Sequence, residues 1–284
     1  MINHTDSNRT IPQPIQREVR QRCGFGCVIC GFPIYDYDHM REWAKVKEHV
    51  AEDITLLCPK HHREVTQGLL PREFVIESNR DPYNLQQGHS TPLLFYYMGN
   101  SCEFHLGGNT FTMECPDEEV RQLIPIMVDG IPLLSFILDN GRLLLNACLF
   151  DENNEVVLLI EENQLVYSME PWDIQIVGKT LTMREKARKI LINITFDTPN
   201  KVIINKARLL CNGVEILIKD DVMTIGNNIC SISGSHFHNC QGGVVIGDSQ
   251  IGAGVRIEHL NRYQKQVSKT DKLKEEVLKE MQTQ

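Results

Sequence analysis

The chain has 284 residues, of which 42% are hydrophobic and 23% charged, with a formal charge of −8. This is ordinary globular composition for about two domains, and it excludes wholesale disorder, a generally basic nucleic-acid coat and polybasic adhesion to membranes. No apolar run is long enough for a membrane-spanning helix and the opening MINHTDSNRT is too polar for a signal peptide, so ten cysteines without an export signal point to a reducing, cytoplasmic setting with no membrane partner.

The acidity is unevenly placed. Residues 1–75 carry ten basic and ten acidic side chains, whereas residues 101–200 carry seven basic and sixteen acidic. The first segment can therefore approach a polyanion without net repulsion, and the middle of the chain is unsuited to clamping one.

In chain order, residues 11–22 (IPQPIQREVRQR) are expected to form a short helix after the prolines, and residues 23–66 are rich in Cys and His. From about 67 to 100 the composition turns to Gly, Pro, Asn and Gln, and residues 76–95 are expected to be a linker. Short β runs follow: LLSFIL, RLLLNACLF, EVVLLI, QLVYSM, WDIQIVG, KILINITF and KVIINKARLL. Turn signals at Val128-Asp129-Gly130, Asp139-Asn140-Gly141 and Asp151-Glu152-Asn153-Asn154 separate several of them, with a helix-capable stretch at Met183–Ala187. Such spacing suggests an antiparallel sandwich or barrel. Residues 209–257 have Gly- and Asn-punctuated runs resembling two or three rungs of a parallel β-solenoid. Residues 261–284 lack Gly and Pro and carry a thin apolar stripe through Val267, Leu273, Val277, Leu278 and Met281, the pattern of a C-terminal helix.

The chemistry concentrates between residues 23 and 66. Cys27 and Cys30 form a C-x₂-C pair, and Cys58 and His61 repeat the spacing. A two-residue spacer lets both side chains of a pair face one ion, and two such pairs close a tetrahedral zinc site. Cys23 falls outside this spacing and is expected to be a packed or free thiol. The weaker cluster His236, His238 and Cys240 is more simply one polar strand face than a metal site, Trp172 is expected in the core, and the glycines of GGVVIG lack the following G-K-[ST] of a phosphate loop.

Between the paired ligands come Asp38-His39 after the aromatic run of Tyr35 and Tyr37, then Asp53 before ITLLC, then His62 directly after the last zinc ligand. The order R-x-R-C-G-F-G-C-V-I-C-G, D-H, L-L-C-P-K-H-H resembles the zinc-knuckle branch of the HNH (ββα-metal) endonucleases over residues 12–70, roughly a quarter of the chain. The resemblance implies a ββα-metal domain at 1–75; with the patterning of the rest, the expected chain is α+β, that domain followed by the linker, a β-rich recognition or assembly domain at 96–260 (a sandwich, a short β-solenoid or both) and the helix at 261–284.

It further implies that Cys27, Cys30, Cys58 and His61 hold a structural Zn²⁺, that His39 is the general base toward water, and that Asp38 and His62 hold a catalytic Mg²⁺ or Mn²⁺ on the scissile phosphate. The adjacent His61 and His62, about 100° apart on a helix, would serve different ions. Asp53 stands where the family has its middle Asn and has no amide to donate. Thr66 replaces a further His that some members use as a ligand. Arg41, Lys45, Lys47 and Arg63 are candidate contacts to the DNA backbone, each equally well read as a solvated charge. The expected function is a DNA endonuclease of the bacterial restriction or anti-phage kind, gated and assembled as a homo-oligomer through the β-rich region or the terminal helix. The runner-up is a zinc-knuckle nucleic-acid-binding or structural assembly protein with an inactive nuclease site.

Overall fold

A computed structural model describes residues 10–41, 49–116, 119–226 and 228–263. The expected C-terminal helix lies outside them beyond Tyr263, as do Lys45 and Lys47. Strand outweighs helix by 49% to 14%, so the chain is a β-rich α+β protein. No helix among the described residues is long and apolar enough to cross a membrane. The chain divides into two compact units, residues 1–93 with 168–176, and residues 94–167 with 177–284.

The first unit begins with α1 (Gln13–Arg22), opened by Pro12 with Pro14 in its first turn, where a missing N–H costs nothing. It continues through β1 (Asp36–His39), β2 (Ile54–Leu57) and α2 (Pro59–Thr66). The two strands pair antiparallel, Asp36 opposite Leu57 and His39 opposite Ile54. Val19, Cys23, Val28, Ile54, Leu56 and Leu57 make the small core beneath them, each nearly or wholly removed from water.

Where the composition predicts a linker, the chain instead forms α3 (Arg72–Arg80) and α4 (Tyr83–Gln87). The prolines and amides that suggest irregular chain have specific tasks here. Pro71 and Pro82 are the N-caps of the two helices, and Gly88, at φ 79°, ends the second in the left-handed conformation. Asn84 is fully buried, and its Nδ2 donates to the carbonyls of Gly24 at 2.8 Å and Gly31 at 3.2 Å. One polar side chain thereby satisfies two buried backbone acceptors. The unit therefore extends to residue 93 rather than 75. It also takes back residues 168–176, where Asp173 is completely buried against Arg20.

The second unit is built from β strands. Its connecting strands at the unit boundaries are β3 (Leu93–Leu94) and β11 (Asp173–Val177). In order it contains β4 (Ser101–Leu106), β5 (Asn109–Glu114), β6 (Arg121–Val128), β7 (Ile131–Asp139), β8 (Arg142–Phe150), β9 (Val156–Glu161) and β10 (Gln164–Tyr167). After β11 come β12 (Thr180–Lys186), β13 (Lys189–Asp197), β14 (Lys201–Cys211), β15 (Val214–Lys219), β16 (Val222–Ile225), β17 (Cys230–Ser233), β18 (His236–His238), β19 (Gly242–Ile246) and β20 (Ala253–Ile257). One sheet runs β20-β19-β6-β7-β8-β9-β10 and the other β12-β13-β14-β15-β16-β17. Inner faces meet at Phe104 and Phe136, ring centroids 4.8 Å apart.

The helix-capable stretch Met183–Ala187 is overturned up to Lys186, which lies in β12. Pairing with β13 prevails over local propensity, with register shifts between Met183 and Arg184 and between Arg184 and Lys186.

The rung-like pattern of residues 209–257 corresponds to parallel pairing at one end of the unit. β18 pairs parallel with β5, and β19 lies parallel between β6 and β20. β5 and β6 lie more than a hundred residues before their partners β18 and β19, so the stack is a local annex to antiparallel sheets. Phe111 and Phe237 stack across it, 4.5 Å apart and 3° from parallel.

Candidate metal centre and the adjoining acidic pocket

Cys27 and Cys30 sit in a tight turn closed by Gly31 N–H donating to the Cys27 carbonyl at 2.7 Å. Gly31 has φ 72°, and a Cβ there would lie 2.1 Å from Asn84 Oδ1, so the turn needs glycine for both space and conformation. The second pair rides on α2, with Cys58 as N-cap and Pro59 starting the helix, which puts His61 one turn inside. Val28 N–H donates to Leu56 O and ties the turn to β2.

These elements bring Cys27, Cys30, Cys58 and His61 together, every donor atom within 4.8 Å of the others. His61 Nδ1 is 3.4 Å from Cys27 Sγ and 3.3 Å from Cys58 Sγ, and Cys30 Sγ is 3.8 Å from Cys58 Sγ. A tetrahedral zinc ion with bonds of about 2.3 Å to sulfur and about 2.0 Å to nitrogen has edges of roughly 3.8 Å and 3.5 Å. The spacing suits such an ion, and 3.8 Å is far beyond the about 2.0 Å of a disulfide. The group can hold a metal ion such as zinc.

Its electrostatics agree. A hydrogen bond from Cys30 leads the effects that, against burial, pull the Cys27 thiol down to about 4, while Cys30 is pushed far up, first by Cys27 and then by burial. Burial also raises Cys58. In the bare cluster, one thiolate suppresses ionisation of its neighbours, and a divalent cation is what allows all three to ionise. Cys23 is packed in the core with its thiol pushed up by burial, as expected for an inert residue.

The second constellation centres on His62, the residue after His61. Strand alternation puts Asp36 and Asp38 on one face of β1, and His62 from α2 sits between them. Its Nδ1 is 3.4 Å from Asp36 Oδ2 and its Nε2 is 3.5 Å from Asp38 Oδ1. Arg72 of α3 closes the far side, with Nη1 donating to the His39 carbonyl at 2.9 Å and standing 3.3 Å from Asp38 Oδ2. His39 Nε2 lies 3.4 Å from His49 Nδ1. Burial first, then the neighbouring His49, lower its basicity below that of an ordinary imidazole, against the pull of Asp38.

Sequence reasoning thus finds Asp38, His39 and His62 in one neighbourhood and misses Asp36, His49 and Arg72. Asp53 is not turned into this group. Arg41 grips its carboxylate with Nε at 2.7 Å and with Nη2, while Met40 N–H donates to its carbonyl at 2.8 Å. It anchors the end of β1 as an acceptor, a task that needs no amide. Arg41 is correspondingly engaged, whereas Arg63 is exposed on α2. His236 and His238 are exposed on β18, and among the described residues the Cys27 cluster is the one metal-type group of three or more such side chains. Trp172 is half-buried beneath Arg17, whose guanidinium lies 4.5 Å above its ring.

Compared with family models, curated proteins and solved structures, the chain matches none.

Proposed function

We propose that the protein is a metal-dependent endonuclease of the HNH class that hydrolyses DNA phosphodiester bonds. The observation that supports this best is the approach of Asp38 Oδ1 on β1 to His62 Nε2 on α2 at 3.5 Å, directly beside His61 of the Cys/His cluster. Both nitrogens of His62 face a carboxylate oxygen. A neutral imidazole has one N–H and one lone pair, so one nitrogen would turn its lone pair toward an oxygen. A cation between them removes that repulsion, and the mixed N,O donor set fits Mg²⁺ or Mn²⁺ completed by phosphate and water.

In this reading Cys27, Cys30, Cys58 and His61 hold Zn²⁺, which fixes α2 against the hairpin. Asp38 and His62 hold the catalytic ion, which when bound supplies positive charge at the scissile phosphate and the leaving 3′-oxygen. His39 takes a proton from the attacking water at one of its ring nitrogens. Its lowered basicity keeps it neutral, hence able to accept. Arg72 keeps Asp38 and the His39 backbone in place. Arg41 and Arg63 are low-specificity contacts to the DNA backbone, as would be Lys45. The acidic β-rich region gates and assembles the enzyme as a cytoplasmic homo-oligomer, in keeping with a bacterial restriction or anti-phage effector.

The test is cleavage of supercoiled plasmid with Mg²⁺ or Mn²⁺ by the full chain and by His39→Ala. Wild type should nick or linearise the plasmid and His39→Ala should lose about 10²–10⁴-fold. If wild type binds DNA but does not cleave it with any divalent ion, the enzyme reading fails and the zinc-stabilised binding protein takes its place. Light scattering on the eluting protein tests assembly, and a monomer at micromolar concentration would count against it.

A further inference from the structure

Asp36 has no part in the mechanism above, although it stands beside it. It lies two residues before Asp38 on the same face of β1, and its carboxylate addresses the ring nitrogen of His62 that Asp38 does not. The two carboxylates differ in surroundings. Asp38 has a side chain 11% exposed and its Oδ2 taken up by Arg72, leaving Oδ1 toward His62, while the Asp36 side chain is 59% exposed. The buried oxygen and Nε2 make the bite for an ion, and the exposed carboxylate stands behind the ring.

Resting on the reading of Asp38 and His62 as ion ligands, we infer that Asp36 is a positioning residue that accepts a hydrogen bond from His62 Nδ1–H, fixing the tautomer whose Nε2 lone pair points at Asp38. Neutral histidine in water favours the proton on Nε2, the tautomer that cannot ligate through that atom. An acceptor at Nδ1 reverses the preference and restrains rotation of the ring. Metal-binding histidines commonly donate their second nitrogen to a carboxylate in this way, and loss of that partner typically weakens metal affinity about 10–100-fold. The structure places a carboxylate where this task requires one, 3.4 Å from Nδ1.

The experiment uses the zinc-loaded full chain and Mn²⁺ as the probe, with affinity read by paramagnetic resonance titration and the His62 tautomer by ¹⁵N spectra at alkaline pH without Mn²⁺. Asp36→Ala should weaken Mn²⁺ about tenfold or more, move the tautomer from Nδ1–H to Nε2–H, and leave zinc content and Tm unchanged. Asp36→Asn, whose side-chain carbonyl still accepts the hydrogen bond from Nδ1–H, should keep the tautomer and recover much of the affinity. Unchanged Mn²⁺ affinity in Asp36→Ala, alongside its loss in His62→Ala, overturns the inference alone. A tautomer indifferent to Asp36→Ala with equal loss in Asp36→Asn also overturns it, since Asp36 is then a ligand. If His62→Ala binds Mn²⁺ as wild type does, the underlying reading of the ion site fails instead.

Discussion

Arg20 and Asp173, 153 positions apart, meet in a two-pronged ion pair, Nε and Nη2 each 2.8 Å from a carboxylate oxygen. Arg20 is 2% exposed and Asp173 not at all. Nη1 donates to Tyr37 Oη at 2.8 Å, so the guanidinium also reaches the strand that carries Asp38 and His39. Around it Gln21 Nε2 donates to the Trp172 carbonyl at 2.7 Å. The arginines of the opening helix are thus structural, and residues 168–176 complete the first unit.

Removing one partner leaves an uncompensated buried charge, so Asp173→Ala should cost about 3–5 kcal/mol. The double change Arg20→Met with Asp173→Leu should restore much of that loss, because the pair's own desolvation offsets its attraction. Denaturant unfolding followed by tryptophan fluorescence reads both. Equal losses in the single and double variants would mean that the pair is stabilising beyond its burial cost.

Metal removal should act on the same unit. Four donors around one ion make the hairpin, the turn at Cys27 and α2 interdependent, and structural zinc sites contribute about 10–16 kcal/mol of apparent binding free energy. That matches or exceeds the about 5–15 kcal/mol stability of a typical domain. A strong chelator should therefore unfold the first unit at room temperature, and Cys58→Ser should purify with little zinc. Cys23→Ser should retain it, since that thiol lies outside the cluster. Elemental analysis with amide exchange across residues 23–66 checks all three.

How much of this is visible in one dimension depends on the range of the interaction. The Cys27, Cys30, Cys58 and His61 spacing is a local signature repeated twice, and Asp38 with His62 follows from the motif around it. Asp36 looks like any surface acid, because only the pleat of β1 and the position of α2 give it a target. Arg72 and Asn84 sit in a stretch whose amides and prolines suggest loop, and their roles depend on backbone groups 33 and 60 residues away. Asp173 lies among β runs of the other unit's sequence, and no periodicity announces its pairing. The glycines of GGVVIG read in the sequence as turn glycines, yet Gly242 and Gly243 lie within β19, where the ring of Phe111 and the backbone of β6 leave no room for a side chain on Gly243.

Acid stability should report on Asp129 in the second unit. Burial alone would raise its carboxyl, but hydrogen bonds from Arg262 at 2.6 and 2.7 Å and from Asn212 at 3.0 Å outweigh it and hold the group below the ordinary 3.8. A folded-state value below the unfolded one gives stability that is complete above the unfolded value and lost as pH falls through the folded one. Asp129 also sits at φ 50°, which Asn tolerates, so Asp129→Asn changes the charge and not the turn. The variant should lose about 1–3 kcal/mol at neutral pH. Urea midpoints of the two proteins should converge only below about pH 4. A gap unchanged down to pH 2 would show that the charge is not what holds the Arg262 segment.

The parallel stack offers a test of close packing that separates two neighbouring glycines. A Cβ on Gly254 would lie 2.4 Å from Phe237 Cδ1, with the next non-Phe237 neighbour at 3.4 Å, while one on Gly243 would meet Phe111 at 2.3 Å and also the Pro125 carbonyl at 2.7 Å. Neither glycine has positive φ, so the penalty is steric. Each Ala variant should cost about 1–3 kcal/mol by overpacking. Shrinking the ring should relieve one and not the other. Phe237→Leu should recover part of the loss in Gly254→Ala, because a flexible side chain is the main obstacle. Phe111→Leu should recover little in Gly243→Ala, because the backbone of β6 still blocks the methyl group. Unfolding midpoints of the four variants and the two Leu controls decide it; equal recovery at both positions would mean that β19 shifts freely against β6, contrary to the register that fixes Gly242 opposite Ile124 and Ile246 opposite Val128.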